Sequence, residues 1–110
     1  MVIYNVTVKI DPVIHDEWLS WMKSQHIPEV LATGYFNKCR ISKLDTDEPD
    51  GVTYALQYDA FSMEGLQKYM ALCAPALQKK HIEKYANRFV AFRTILQVVE
   101  EIYPTERIRN

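Results

Sequence analysis

The chain is poor in the features that mark secreted and membrane proteins. It has two cysteines, Cys39 and Cys73, among 110 residues, too few for a secreted scaffold that depends on disulfides. Two cysteines are enough to form one disulfide with each other, but both lie in apolar patterns that favour small buried thiols. No apolar run approaches the roughly 20 residues of a membrane span, and no basic, apolar leader precedes Val2. We therefore expect a cytoplasmic protein without a membrane partner.

The chain also lacks a large excess of charge of either sign. The formal net charge is -1, so the chain has no general basic field to attract nucleic acid. An acid, Asp50, precedes Gly51 at the start of the third expected strand, where RNA-recognition domains carry a base. Motifs of the G-x-G-x-x-G, P-loop, G-x-S-x-G and C-x-x-C types are absent. The sequence therefore argues against nucleic-acid binding and predicts no cofactor.

Apolar residues are what the chain does have. They make up 48% of it, which is enough for one domain of this size to bury a core. Runs of alternating apolar residues predict four strands, over 2–10, 35–44, 52–59 and 88–102. With a helix after the first and third strands, the element order is βαββαβ, which is typical of an α+β, ferredoxin-like fold. We expect one domain over 1–102 and a loose tail over 103–110.

The two helices have recognisable start and stop signals. Asp11 can cap the first helix, with Pro12 at its first position. We expect this helix to end near His26, because a proline at position 28 breaks it. Ser62 can cap the second helix, in which Pro75 predicts a kink or a restart. Both helices should pack on one face of a four-stranded antiparallel sheet.

The other face of the sheet has a mixed composition. Alternation predicts that Tyr4, Tyr54 and their strand neighbours face the helices, while Val90 and Phe92 do so from the fourth strand. The open face then presents Ile3, Asn5, Thr7, Ala55, Gln57, Phe89, Ala91, Arg93, Ile95 and Val99. This face is too apolar to leave in water and too polar for a dry core, which favours a homodimer through the open sheet face. The fourth strand is expected to be the longest and could cross to the partner.

Three segments resemble a known family. They are IHDEWLSWMKSQHIPEVLATGYF (14–36), GVTYALQY (51–58) and FVAFRTIL (89–96). They are similar to bacterial proteins of the domain of unknown function family number 4286. Members resemble the dimeric α+β barrel superfamily, which includes cofactor-free monooxygenases and muconolactone isomerase-like enzymes. The resemblance implies the fold and the dimer, and it implies no activity.

The first helix carries the main candidate residues. Trp18, Trp21 and Met22 share its apolar face, with His26 along the edge, and Tyr4 and Tyr54 approach from the sheet. These side chains could line a ligand pocket, although large aromatic residues are more often core. His26 is the candidate catalytic residue, as a general base that titrates near neutrality and that the helix C-terminus would favour as imidazolium. The alternative is that His26 caps the last helix carbonyls.

Arginine and histidine side chains are further candidates for binding or metal sites. Arg93 could bind an anionic ligand, or could pair with Asp59 or Glu100. His15 and His26 are eleven positions apart, about 16 Å on a straight helix, too far to share a metal ion. We therefore expect no metal site. His15 and His81 are expected at the surface or its boundary.

These observations leave three functional hypotheses. The first is a homodimeric module that binds a small apolar or aromatic metabolite. The second is a cofactor-free monooxygenase- or isomerase-like enzyme that uses His26. The third is a pure protein-interaction module. A cavity beside His26, into which a tyrosine hydroxyl also converges, would favour the enzyme, whereas a filled helix–sheet interface would favour a protein without chemistry.

Overall fold

The computed structural model describes residues 1–46 and 48–105. In chain order the elements are β1 (Val2–Ile10), a 3-10 turn (Pro12–Ile14), α1 (His15–Trp21), a π-helical turn (Met22–His26), α2 (Ile27–Ala32), β2 (Phe36–Lys43), β3 (Val52–Ala60), α3 (Met63–Leu72), α4 (Ala74–Lys84) and β4 (Phe89–Gln97). The strands form one antiparallel sheet in the order β2-β3-β1-β4. The ferredoxin-like fold predicted from the sequence is confirmed.

The core lies between the sheet and the helices. β1 is paired on both sides, and its alternate residues Tyr4, Val6, Val8 and Ile10 are buried. β3 adds Tyr54, Leu56 and Tyr58 to the same face, and the helices add Trp18 and Leu66, both fully buried. The predicted inner faces of β1 and β3 are therefore correct, because period-2 alternation carries one side of a strand into the core.

The predicted orientation of the fourth strand is wrong. Arg93 is paired directly with Val6 of β1, and directly opposed residues point to the same face of a sheet. Arg93 therefore faces the helices, and Val90 and Phe92 face outward, where they are 67% and 63% exposed. β4 also ends at Gln97, and with nine residues it is as long as β1. The expected longer strand is not formed.

The predicted break at Ile27 and Pro28 is also wrong. The chain stays helical, because the Ile27 N–H donates to the carbonyl of Met22, five residues back. This wider π-type turn passes into α2 with Pro28 in its first turn, where a missing N–H is tolerated. The turn buries Met22 and His26 together. It thereby places an imidazole inside the helix–sheet interface.

The remaining helix signals are confirmed. The Asp11 carboxylate accepts a hydrogen bond from the Val13 N–H at 2.9 Å, with proline in the first turn. Ser62 Oγ accepts one from the Gly65 N–H at 2.9 Å. The second helix stops at Leu72 and restarts at Ala74, with Pro75 in the new first turn. None of the helices among the described residues has the length and apolar character of a membrane span.

Two features outside the core complete the description. Cys39 and Cys73 are both free thiols, and burial raises the pKa of Cys39 to about 11. Residues 103–105 of the expected tail have no regular secondary structure, and 106–110 lie outside the described residues. The extent of the single domain stays a prediction.

Candidate functional site

A small cavity lies between the helices and the sheet. Its volume is about 20 Å³, room for about one water molecule. The polar groups among its lining residues are three tyrosines, two histidines, a glutamine and an arginine, namely Tyr4, Tyr58, Tyr69, His26, His81, Gln78 and Arg93. No carboxylate is among its lining residues. The lining is thus rich in hydrogen-bond donors and aromatic surface.

The two histidines form a buried pair. His26 comes from the π-helical turn and His81 from α4, and their ring centroids are 5.4 Å apart. They are 8% and 4% exposed. Burial lowers the pKa of His26 to about 4 and that of His81 to about 3, since a low-dielectric surrounding disfavours the charged form. Both imidazoles are therefore neutral at pH 7.

His26 differs from the expectation for a helix-ending histidine. The helix does not end there, and the ring makes no hydrogen bond to a carbonyl among the described residues, so the capping role is not observed. The expected imidazolium is wrong too, because burial lowers the pKa of His26 and the helix continues past it. Nδ1 of His26 is fully buried and has no hydrogen-bond partner in residues 1–46 and 48–105. A buried polar atom left unpaired is costly, which points to a group that a ligand or water satisfies.

His81 was expected near the surface and is instead central. Its Nε2 atom accepts a hydrogen bond from the indole N–H of Trp18 at 3.0 Å. Its ring also stacks on Phe89, with centroids 3.9 Å apart and an angle of 6° between planes. The signal that could have revealed it is helical spacing, because Leu77, His81 and Tyr85 are each four residues apart.

Only part of the predicted site is brought together. Tyr4, Met22 and Arg93 line the cavity with His26. Trp18 is fully buried and reaches the site through His81, while Trp21 stacks on the outer side of His26 with centroids 5.0 Å apart. Neither tryptophan is a lining residue.

Tyr54 belongs to a separate polar contact. Its hydroxyl is 2.6 Å from Nε2 of His15, whose Nδ1 is 2.9 Å from the exposed carboxylate of Asp16. The Tyr54 and His15 rings are stacked at 5.6 Å. This contact lies at the boundary position expected for His15, and Tyr54 does not line the cavity.

Arg93 is the charged group of the site. It both lines the cavity and keeps exposed surface, so its guanidinium can be reached from solvent. No carboxylate lies within ion-pair distance of it in the described part of the chain. Asp59, one of its expected partners, is opposite Ile3 on the other face of the sheet, with its carboxylate 3.9 Å from Lys38 Nζ. The ion pair expected between Arg93 and Asp59 is therefore not formed.

The side chains of the cavity offer hydrogen bonds and one group that can exchange a proton. Residues 1–46 and 48–105 contain no cluster of three histidine, cysteine or acidic side chains that could hold a metal ion. A neutral imidazole with a free nitrogen can accept or donate a proton. A guanidinium beside it stabilises negative charge on a bound group.

Comparison with known proteins places the chain in a family. A family model described as a domain of unknown function (DUF4286) matches residues 1–99. The chain belongs to this family. No curated protein matches the DUF4286 chain.

Solved structures share its fold. Two dimeric ferredoxin-like proteins from an uncultured marine organism are 15% and 9% identical, with TM-scores of 0.68 and 0.71. The first covers 94% of this chain and 100% of its own, the second 92% and 97%. A monooxygenase of Streptomyces coelicolor in complex with nanaomycin D is 11% identical, with a TM-score of 0.62, over 94% of this chain and 92% of its own. At these identities the likeness shows the fold alone.

Proposed function

We propose that this chain is a homodimeric module that binds a small apolar or aromatic metabolite between its helices and its sheet. The observation that carries the proposal is the buried, unpartnered Nδ1 of His26 in a cavity walled by aromatic rings. Ligand pockets are mostly apolar, with a few converging polar groups. Here the converging groups are His26, His81 and Arg93.

The size of the cavity sets a condition on binding. About 20 Å³ is far below the roughly 150 Å³ of an apolar cavity that holds benzene. An aromatic ligand must therefore displace lining side chains. Met22 and Leu77 both line the cavity, and an unbranched methionine adapts readily to a new shape. The unliganded site is closed, and the ligand opens it.

The homodimer is supported by the outer face of the sheet. Phe92 and Val90 are largely exposed there, and Leu96 is also exposed further along the same strand. Several large apolar side chains exposed on one face are typical of an interaction site. Two folds of the same kind are described as dimeric. Pairing two such faces would bury the apolar part and leave the helix-side cavity on each protomer.

The experiment titrates the protein with benzoate, phenol and indole and follows backbone amide NMR shifts. We expect shifts centred on His26, His81 and Leu77. The His26→Phe variant fills the site and should weaken binding at least tenfold, whereas His15→Phe, outside the cavity, should not. No binding at millimolar concentration would reject the proposal. Shifts confined to the groove beside Thr7 and Phe92 on the open face would also reject it.

A second candidate function is cofactor-free oxygenase- or isomerase-like chemistry. In it the neutral His26 takes a proton from an acidic carbon or phenol of the substrate, and Arg93 stabilises the resulting anion. The specific observation in its favour is the free His26 nitrogen in a cavity that Arg93 also lines. A base with a pKa of about 4 is weak for such a step, so binding comes first.

Proton exchange tests this second candidate. If the protein is an enzyme of this kind, we expect it to accelerate deuterium exchange at the α-carbon of 1-indanone in D2O, measured by proton NMR. His26→Gln should abolish the acceleration while Lys79→Ala, on the outer side of α4, should preserve it. Equal exchange with and without protein would leave binding as the function.

A further inference from the structure

The hydrogen bond between Trp18 and His81 determines which nitrogen of His81 carries its proton. An indole N–H can only donate. Because it donates to Nε2 of His81 at 3.0 Å, Nε2 must offer its lone pair. The proton of the neutral ring is therefore on Nδ1.

The same contact keeps His81 from acting as a base. Protonating Nε2 would replace an acceptor with a second donor facing the Trp18 N–H, and the imidazolium would be buried at a site that is 4% exposed. Nδ1 already carries a proton. His81 is thus a fixed hydrogen-bond donor, and His26 is left as the imidazole that can change protonation.

We propose that His81 is the specificity-determining donor of the cavity and that, with Arg93, it selects ligands that carry an anionic head group. Trp18 is the positioning residue, since it fixes the His81 tautomer. The inference rests on the proposed binding function and names its ligand class. That class is a small aromatic or apolar carboxylate or phenolate.

The charges of the lining support this ligand class. Arg93 enters from β4 and His81 from α4, so the two donors approach from the sheet and from the helical layer. The lining has no carboxylate to neutralise the guanidinium. An anion would satisfy both donors at once, whereas a neutral ligand would leave the guanidinium without a charge partner.

The tautomer can be tested without any ligand. Long-range proton–nitrogen NMR of the histidine rings should show His81 with its proton on Nδ1 at pH 7. In Trp18→Phe the constraint is removed, and the fraction with the proton on Nε2 should rise. Trp21→Phe is the matched control, because Trp21 also packs on His81, at 5.7 Å between centroids, but makes no hydrogen bond to it. A wild-type ring with its proton on Nε2 would overturn the inference.

Ligand selection is tested with benzoate against its neutral counterpart benzamide. We expect benzoate to bind about 10- to 100-fold more tightly, the range for hydrogen bonds to a charged group. His81→Leu should lose about tenfold of that preference. His81→Asn, whose amide N–H can take the place of Nδ1–H, should retain most of it, and Trp21→Phe should retain it fully.

The outcomes separate this inference from the proposed function. Equal affinity for benzoate and benzamide at the cavity would overturn the anion selection and leave metabolite binding intact. Loss of preference in both His81→Leu and His81→Asn would overturn the donor role. No binding of either probe would reject the proposed function, and the ligand class would fall with it.

Discussion

The Nζ atom of Lys80 lies 3.1 Å from Oε2 of Glu29, and this ion pair joins α4 to α2 beside His26. Both charges act on the buried imidazole in opposite directions. Burial lowers the pKa of His26 most; Arg93 and Lys80 lower it further, and Glu29 alone opposes them by raising it. The pKa of His26 therefore depends in part on charges at the surface.

Removing either member of the pair should move the pKa of His26 in a defined direction. We expect Lys80→Ala to raise it and Glu29→Gln to lower it further, as followed by the Cε1 proton in an NMR titration. The pair is more than 40% exposed on each side, so the free energy of unfolding should change by less than about 1 kcal/mol. Lys79→Ala is the control, because Lys79 pairs outward with Glu83. Shifts in the same direction for both variants would contradict this assignment.

The buried histidines should make the protein sensitive to acid. Their pKa values are about 4 and 3 in the folded chain, against an ordinary value near 6.5 in the unfolded chain. As pH falls below 6.5, the two histidines bind protons in the unfolded state but stay neutral in the folded state. The contribution of these histidines to the free energy of unfolding is therefore highest above pH 6.5. Below that pH the free energy of unfolding falls by up to about 1.4 kcal/mol per pH unit for each histidine.

Replacing one histidine should reduce this slope. We expect urea denaturation of His26→Phe between pH 7 and 4.5 to show roughly half the wild-type decline. Met22→Leu, which changes a neighbouring lining residue without a titrating group, should alter stability equally at every pH. A His26→Phe slope as steep as the wild type's would mean that the pKa of His26 is the same in the folded and the unfolded chain.

The order of helices and strands along the chain could be predicted from the sequence, but the orientation of β4 could not. In β1 the contrast between buried and outward positions is clear, so alternation assigns Tyr4 and Val8 correctly. β4 has no such contrast, because Phe92 and Leu96 are apolar and outward while Phe89 and Ala91 are apolar and inward. Alternation alone therefore places Val90 and Phe92 on the inner face and Arg93 on the outer face, the reverse of their positions in the structure. When both faces of a strand carry apolar residues, the sequence pattern does not show which face is buried.

The candidate site was predictable in part for a related reason. His26 stands beside two tryptophans, which marks it as unusual. His81 has charged neighbours at Lys79, Lys80 and Glu83, a density typical of a solvated helix. Residues one or two positions away do not share a face of the helix, so the four-residue spacing of Leu77, His81 and Tyr85 is the better guide. The partnership of Trp18 with His81 spans 63 positions and has no local signal.

Leu66 and Tyr69 are the buried residues of α3. Leu66 is fully buried, whereas Leu72, in the same helix, is 72% exposed. We expect Leu66→Ala to lower the free energy of unfolding by about 2–5 kcal/mol, the cost of a buried leucine deletion. Leu72→Ala should change it by less than about 0.5 kcal/mol, as surface substitutions do. Urea denaturation measures both, and equal effects would mean that the helix is packed through another face.

If the proposed dimer forms through the open sheet face, a charged substitution on the outer face of β4 should disrupt it. Phe92 is 63% exposed and lies opposite Thr7 on the open side of the sheet. A lysine there would bring two like charges into the centre of the paired faces, where they lose hydration without gaining a partner. We expect Phe92→Lys to run as a monomer in light scattering at micromolar concentrations at which the unmodified chain is a dimer.

A matched substitution separates this effect from a general change in solubility. Ile82 is 55% exposed on α4, in the helical layer rather than on the open sheet face, so Ile82→Lys should stay dimeric. Both substitutions are at exposed positions of the protomer, so neither should change the free energy of unfolding of the protomer itself by more than about 0.5 kcal/mol. A dimer that resists Phe92→Lys but is lost in Ile82→Lys would place the interface on the helices. The cavity would then lie next to the partner, because His81 and Ile82 are adjacent on α4.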